Sequence, residues 1–155
     1  MRHFTIDQSG KVEDTSVDTI LAFSSNEMQY SIKIPKYLKQ NIFSQCQKKY
    51  KTNLALRLFS YGLYLLLKEE TNNESVVIID DEYPGHSKDI KQYLMQHSNL
   101  QKEQIRFELI GKKDQAHKIA YMTFCGKIKP NRIVNERDLN LSLIVQGGRI
   151  KELLK

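Results

Sequence analysis

The 155-residue chain is 40% hydrophobic and 27% charged, which suits one folded domain with its own core and excludes a disordered or fibrous protein. Lys and Arg number 24 against 18 Asp and Glu, and the resulting net charge of +6 favours a polyanionic partner without requiring one. Cys46 and Cys125 stand in no paired spacing, which fits two reduced thiols in a cytoplasmic protein.

His3 to Gln8 reads as a short strand, left by a Ser9-Gly10-Lys11 turn. Ser16 to Phe23, rich in β-branched and apolar residues, is a second strand. From Glu27 to Ile34 the chain alternates, with Met28, Tyr30, Ile32 and Ile34 on one side and Gln29, Ser31 and Lys33 on the other. Asn26 and its neighbours make a tight connection, so three consecutive antiparallel strands open the chain. Pro35 sits where a helix can begin, and Leu38, Ile42, Cys46 and Tyr50 recur every four residues along an amphipathic helix with lysines outward. Thr52-Asn53 is a candidate break, after which Leu54, Leu58, Tyr61 and Leu65 carry a deeper helix to about Glu70. Its apolar stretch, Leu63 to Leu67, is too short to span a bilayer and is closed by Lys68, Glu69 and Glu70. No signal peptide is evident either, so no membrane association is expected.

Val76 to Ile79 is a continuous β-branched run, the mark of a central strand buried on both faces. Pro84-Gly85 turns the chain, and Ser87 is a candidate cap for a helix carrying Ile90, Tyr93 and Leu94. Gln104 to Ile110 alternates again, placing Ile105, Phe107 and Leu109 on one face of a fifth strand. A loop at Gly111-Lys112-Lys113 leads into a helix from Asp114 to about Phe124, with Ile119, Ala120, Met122 and Thr123 as packing positions. Beyond Gly126 the pattern weakens: Pro130 and Asn131 suggest a loop, Leu139 to Val145 a strand or helix, and Ile150 to Leu154 a short terminal helix. A single domain over 1–155 is expected, with 127–155 as a C-terminal extension.

Acids fall at chosen places in this order. Asp7 ends the first strand, Asp80, Asp81 and Glu82 end the fourth, and Asp114 opens the last helix with His117 three residues on. A carboxylate at a buried strand end costs free energy unless compensated, and a divalent cation is a good compensator. Each also has an ordinary role: Asp7 could cap the following turn, the 80–82 run could be a solvated strand end, and Asp114 is a natural helix cap. His117 could be a plain surface or core-edge histidine. The acidic run after Ile79 also looks like the opening of a phosphoacceptor receiver domain, but that strand lies mid-chain and too little sequence follows it.

The order of elements and acids resembles the ribonuclease H-like superfamily, and within it the resolvase and integrase branch. Thr5-Ile6-Asp7-Gln8-Ser9-Gly10 looks like that branch's opening strand, Val76 to Glu82 like its fourth strand, and Asp114-Gln115-Ala116-His117-Lys118-Ile119-Ala120 like the last helix of Holliday-junction resolvases. His117 stands where many relatives carry an acid. The resemblance covers roughly residues 3–125. It implies an α/β fold with a five-stranded mixed sheet, three antiparallel strands followed by parallel additions, flanked by helices.

It further implies a nuclease that hydrolyses phosphodiester bonds in DNA or RNA, structured or branched DNA included, with two Mg²⁺ or Mn²⁺ ions. Asp7 would bridge the ions, with Asp80 (or Asp81 or Glu82) and Asp114 on either side; His117, on the same helical face as Asp114, would be a ligand or proton shuttle. Lys112, Lys113 and Lys118 would hold phosphates, with Lys48 and Lys49 as further contacts. Resolvase-like enzymes usually dimerise, so a homodimer is a further expectation. The alternative is a module on the same scaffold that binds nucleic acid or protein without cleaving.

Overall fold

The computed structural model describes residues 2–139 apart from 46, 69 and 73. The state of Cys46, the element expected beyond Leu139 and the terminal helix at 150–154 therefore lie outside the described residues. Among those described, no helix is long and apolar enough to cross a membrane.

The fold is α/β, a six-stranded mixed sheet flanked by helices. Strands β1 (Arg2–Ser9), β2 (Thr19–Ser24) and β3 (Gln29–Ile34) form an antiparallel meander. Next to β1, β4 (Ser75–Asp80) pairs in parallel, and β5 (Ile105–Glu108) pairs in parallel with β4. A two-residue strand, β6 (Arg132–Ile133), adds in parallel to β3, giving the order β5-β4-β1-β2-β3-β6.

The sixth strand departs from the five expected. Two residues carry no readable periodicity; what holds them is tertiary. Asn131 accepts the Ser31 N–H at 2.8 Å, and Asp138 binds the Arg132 guanidinium and the Asn135 N–H.

Helices α1 (Lys36–Ser44), α2 (Lys51–Leu67) and α3 (Ser87–His97) cover one face of the sheet, and α4 (Gln115–Phe124) lies on the other. The alternation of each strand decides what meets which layer. Phe4, Ile6, Leu21, Phe23, Ile32, Ile34, Val77 and Ile79 point into the large core, whereas Ile20 and Ala22 meet Ile119 and Ala120 of α4.

Three expected details differ. The first helix ends at Ser44 and a 3-10 turn at Lys48–Tyr50 precedes α2, while Thr52 and Asn53 lie in the first turn of α2. Ser87 is the first residue of α3 and His86 holds the cap position. Leu109 and Met122 are exposed, at 87% and 39%, where packing was expected. For Leu109 the cause is local: β5 stops at Glu108 because the Ile110 N–H turns to the Asp80 carboxylate at 2.7 Å instead of continuing the ladder.

The β1–β2 loop is pinned by Lys39 of α1, a fully buried lysine. Its ammonium donates to the carbonyls of Lys11 (3.2 Å) and Asp14 (2.6 Å) and to the Thr19 hydroxyl (2.9 Å), so all three N–H groups are used. Burial pulls its pKa down to about 8, while Asp14, Asp18 and Glu13 hold it up. Gly10 begins this loop with φ +77°, and a Cβ there would lie 2.2 Å from the Asp18 carbonyl oxygen. Only glycine fits.

Removing the Lys39 donor strands three acceptors at once, and unsatisfied buried groups cost about 1–3 kcal/mol each. Lys39→Met is expected to destabilise the fold by about 2–3 kcal/mol, allowing for partial rehydration of the two carbonyls. Urea unfolding followed by circular dichroism measures it; an unchanged midpoint would contradict the pin.

Candidate metal centre

The centre forms where β1 and β4 end side by side. Their parallel register sets Ile6 against Ile79, so Asp7 and Asp80 are the next pair along, on adjacent strands whose spacing is about 4.8 Å. With Ile6 and Ile79 in the large core, both carboxylates face the α4 side. The backbone then tightens after β4, with the Glu82 N–H donating to the Asp80 carbonyl at 2.9 Å, and this brings the Glu82 carboxylate back to the pair. One oxygen from each of Asp7, Asp80 and Glu82 lies within 4.8 Å of the others.

Among the described residues these three form the group able to hold a metal ion. Asp81 and Asp114 fall outside it. For the 80–82 run, the backbone resolves what its composition left open: the tight turn after β4 brings Glu82 to Asp80 and leaves Asp81 outside the group.

Asp114 serves as the cap of α4. Its Oδ1 accepts the Ala116 N–H at 2.8 Å and the Thr5 hydroxyl at 2.9 Å. Thr5 is two residues before Asp7 on the same face of β1, so this bond fixes the start of α4 beside the acidic group. One turn later, His117 Nδ1 lies 2.7 Å from Asp7 Oδ2. An ionised Asp7 accepts from Nδ1–H, which makes Nε2 the basic nitrogen of the neutral ring. The histidine is one-third exposed and its carboxylate partner is buried.

The electrostatics are those of a site short of positive charge. Burial raises the Asp7 pKa above the usual carboxylate range and the Asp80 charge adds to the rise, against the pull of the Gln8 N–H and of His117. Burial likewise pushes Glu82 up to about 7, reinforced by its hydrogen bond to Asp80 and by the charges of Asp80 and Asp7, with Lys11 opposing. Three oxygen donors of this kind, crowded and reluctant to ionise together, could hold a metal ion. A cation would offset the burial and the mutual repulsion that raise them.

The lysines divide between the two faces. Lys112 and Lys113 in the β5–α4 loop and Lys118 on α4 are exposed on the side of the acidic group. Lys48 and Lys49 stand in the 3-10 turn before α2, in the helical layer across the sheet, with the Lys49 ammonium 5.1 Å from the centre of the Tyr50 ring. Two residues that sequence reading passed over belong to the surroundings. Thr5 ties the cap to β1, and Tyr83 follows the acids and donates to Glu13 at 2.9 Å, closing the β1–β2 loop over the strand ends. Neither carries a sequence signal, since a threonine in a strand and a tyrosine in a loop are commonplace.

Compared with known proteins, the chain matches no protein-family model, no curated protein and no solved structure. The geometry therefore stands on its own physical content.

Because Glu82 holds a proton in the folded state that the unfolded chain releases near pH 4.5, this group's contribution favours folding at low pH. It is lost as pH rises towards 7. In EDTA, Glu82→Gln is expected to raise the melting temperature at pH 7.5 and to leave it nearly unchanged at pH 5. Millimolar Mn²⁺ or Mg²⁺ should raise the wild-type value at pH 7.5 and do so less in Glu82→Gln. Differential scanning fluorimetry reads both; wild type indifferent to both cations would remove the metal centre.

Proposed function

We propose that the chain is a metal-dependent nuclease of ribonuclease H-like fold, related to the resolvase and integrase branch, that hydrolyses phosphodiester bonds. The observation that carries the reading is the meeting of Asp7, Asp80 and Glu82 at one sheet edge, with His117 bonded to Asp7. The strand order β5-β4-β1-β2-β3, antiparallel in the meander and parallel beyond β1, supports it, as does a helix opening on Asp114 and laid against β1.

Asp7, Asp80 and Glu82 would hold Mg²⁺ or Mn²⁺, which neutralises charge on a phosphodiester and lowers the pKa of water. The protein's own share is positioning and proton transfer. Asp7 fixes the ring of His117, leaving Nε2 to take a proton from attacking water or return one to the leaving oxygen. Asp114 and Thr5 keep α4, and so His117, in register with β1. Lys112, Lys113 and Lys118 carry positive charge on the same side, suited to the phosphates flanking the scissile bond. Access is open, since Ile78 is only half-buried and Arg106 exposed on the face of β4 and β5 beside α4.

Branched, duplex, hybrid and single-stranded substrates incubated with the protein in Mn²⁺ test the proposal. Wild type is expected to cut at least one class, and Asp7→Asn to cut none. His117→Ala should lower kcat by about 10²–10⁴-fold and flatten the acidic limb of the pH–rate profile. Cleavage that survives Asp7→Asn would place the chemistry elsewhere, and wild type inert on every substrate would leave the alternative of a binding module.

A further inference from the structure

Helix α4 turns Ala116, Ile119, Ala120 and Thr123 to the protein. At 100° per residue, His117, Tyr121 and Phe124 fall together on one flank of it. That flank starts at the acidic group, where His117 bonds Asp7 at 2.7 Å. One turn on, the Tyr121 ring lies parallel to the His117 ring, with planes 1° apart and centroids 6.5 Å apart, and Tyr121 is 55% exposed. Its hydroxyl is engaged by Cys125, which raises its pKa. Phe124 closes the row against Gly10, its ring so near that a Cβ on Gly10 would lie 2.7 Å from Cε1.

Acids stand at the His117 end of this row, while along the chain the segment that carries it is nearly all basic. From Lys112 to Arg132 the bases Lys112, Lys113, Lys118, Lys127, Lys129 and Arg132 are accompanied by one acid, Asp114. That carboxylate is already committed to the helix cap and Thr5. An exposed aromatic face with the exposed Lys118 three residues before it on the same helix suits an unpaired nucleotide, whose base stacks on the ring while a phosphate meets the lysine. A base inside a duplex has both faces covered and cannot use such a surface. An acidic protein segment would satisfy the lysines but has no use for a flat ring set parallel to the histidine of the cleavage site.

We propose that Tyr121 is a stacking platform for an unpaired base of the strand held at the metal centre, so that the substrate carries single-stranded or extruded nucleotides there. This rests on the reading of the neighbouring site as one for nucleic acid. The test measures binding rather than cleavage, by fluorescence anisotropy in Ca²⁺ with end-labelled single-stranded and duplex oligonucleotides, and by the emission of an oligonucleotide carrying 2-aminopurine. Tyr121→Ala is expected to weaken single-strand binding by about 5–150-fold, the equivalent of about 1–3 kcal/mol per stacked base. Duplex binding should stay within about twofold, and Tyr121→Phe should behave as wild type. Quenching of 2-aminopurine should be kept in wild type and Tyr121→Phe and lost in Tyr121→Ala.

Equal affinities of wild type and Tyr121→Ala for single strands, or equal losses on both substrates, would overturn the platform. So would failure of wild type to bind any oligonucleotide. Cleavage in Mn²⁺ by both wild type and Tyr121→Ala, with unaltered single-strand affinity, would remove the platform and leave the nuclease reading in place. The predicted binding differences without cleavage on any substrate would do the reverse.

Discussion

Parallel pairing of β1 with β4 forces two carboxylates into neighbouring places that neither would choose alone. The register Ile6 to Ile79 leaves Asp7 and Asp80 about one strand spacing apart, and the turn after β4 folds Glu82 onto them. Backbone hydrogen bonds along both strands hold that register, and a large apolar core on the opposite face holds the strands. Sliding β4 by one residue would turn Ile79 out of the core and Asp80 into it, so the register resists the repulsion. The raised pKa values of Asp7 and Glu82 report the same tension from the side of the protons.

Helix α4 has little apolar support, resting chiefly on Ile119 and Ala120 over Ile20 and Ala22. Burial of one isoleucine stabilises by roughly 2 kcal/mol, too little to fix a helix to a fraction of an ångström. Polar contacts supply the precision. Asp114 joins the helix cap to Thr5, and His117 joins the first turn to Asp7. The residues that define the helix start thus also define the distance between a proton-carrying ring and the acidic group.

The β1–β2 loop shows the same use of polar atoms at depth. Lys39 reaches from the opposite helical layer to satisfy two loop carbonyls and the Thr19 hydroxyl, while Tyr83 ties Glu13 to the segment that follows the acids. Loop, strand ends and post-β4 turn therefore form one connected rim. Lys11, which opposes the rise of the Glu82 pKa, is carried on that rim.

Much of this was legible along the chain. Period-two alternation at Gln29–Ile34, the β-branched run before Asp80 and the three- and four-residue spacing of Leu54, Leu58, Tyr61 and Leu65 in α2 each reflect which side of one element meets water, and that is a local property. The placement of Asp7 on the first strand and of Asp114 with His117 at a helix start followed from the same signals, although β1 runs two residues past Asp7 to Ser9. The partners of those residues were not legible. That Glu82 joins Asp80 while Asp81 does not, that the Thr5 hydroxyl meets Asp114 Oδ1, that Leu109 and Met122 face solvent, and that Arg132–Ile133 extend the sheet all depend on contacts between residues far apart in the chain. Local periodicity fixes what a residue presents; only the register between strands and the docking of α4 decide what it meets, because those are set by the summed packing of the whole core.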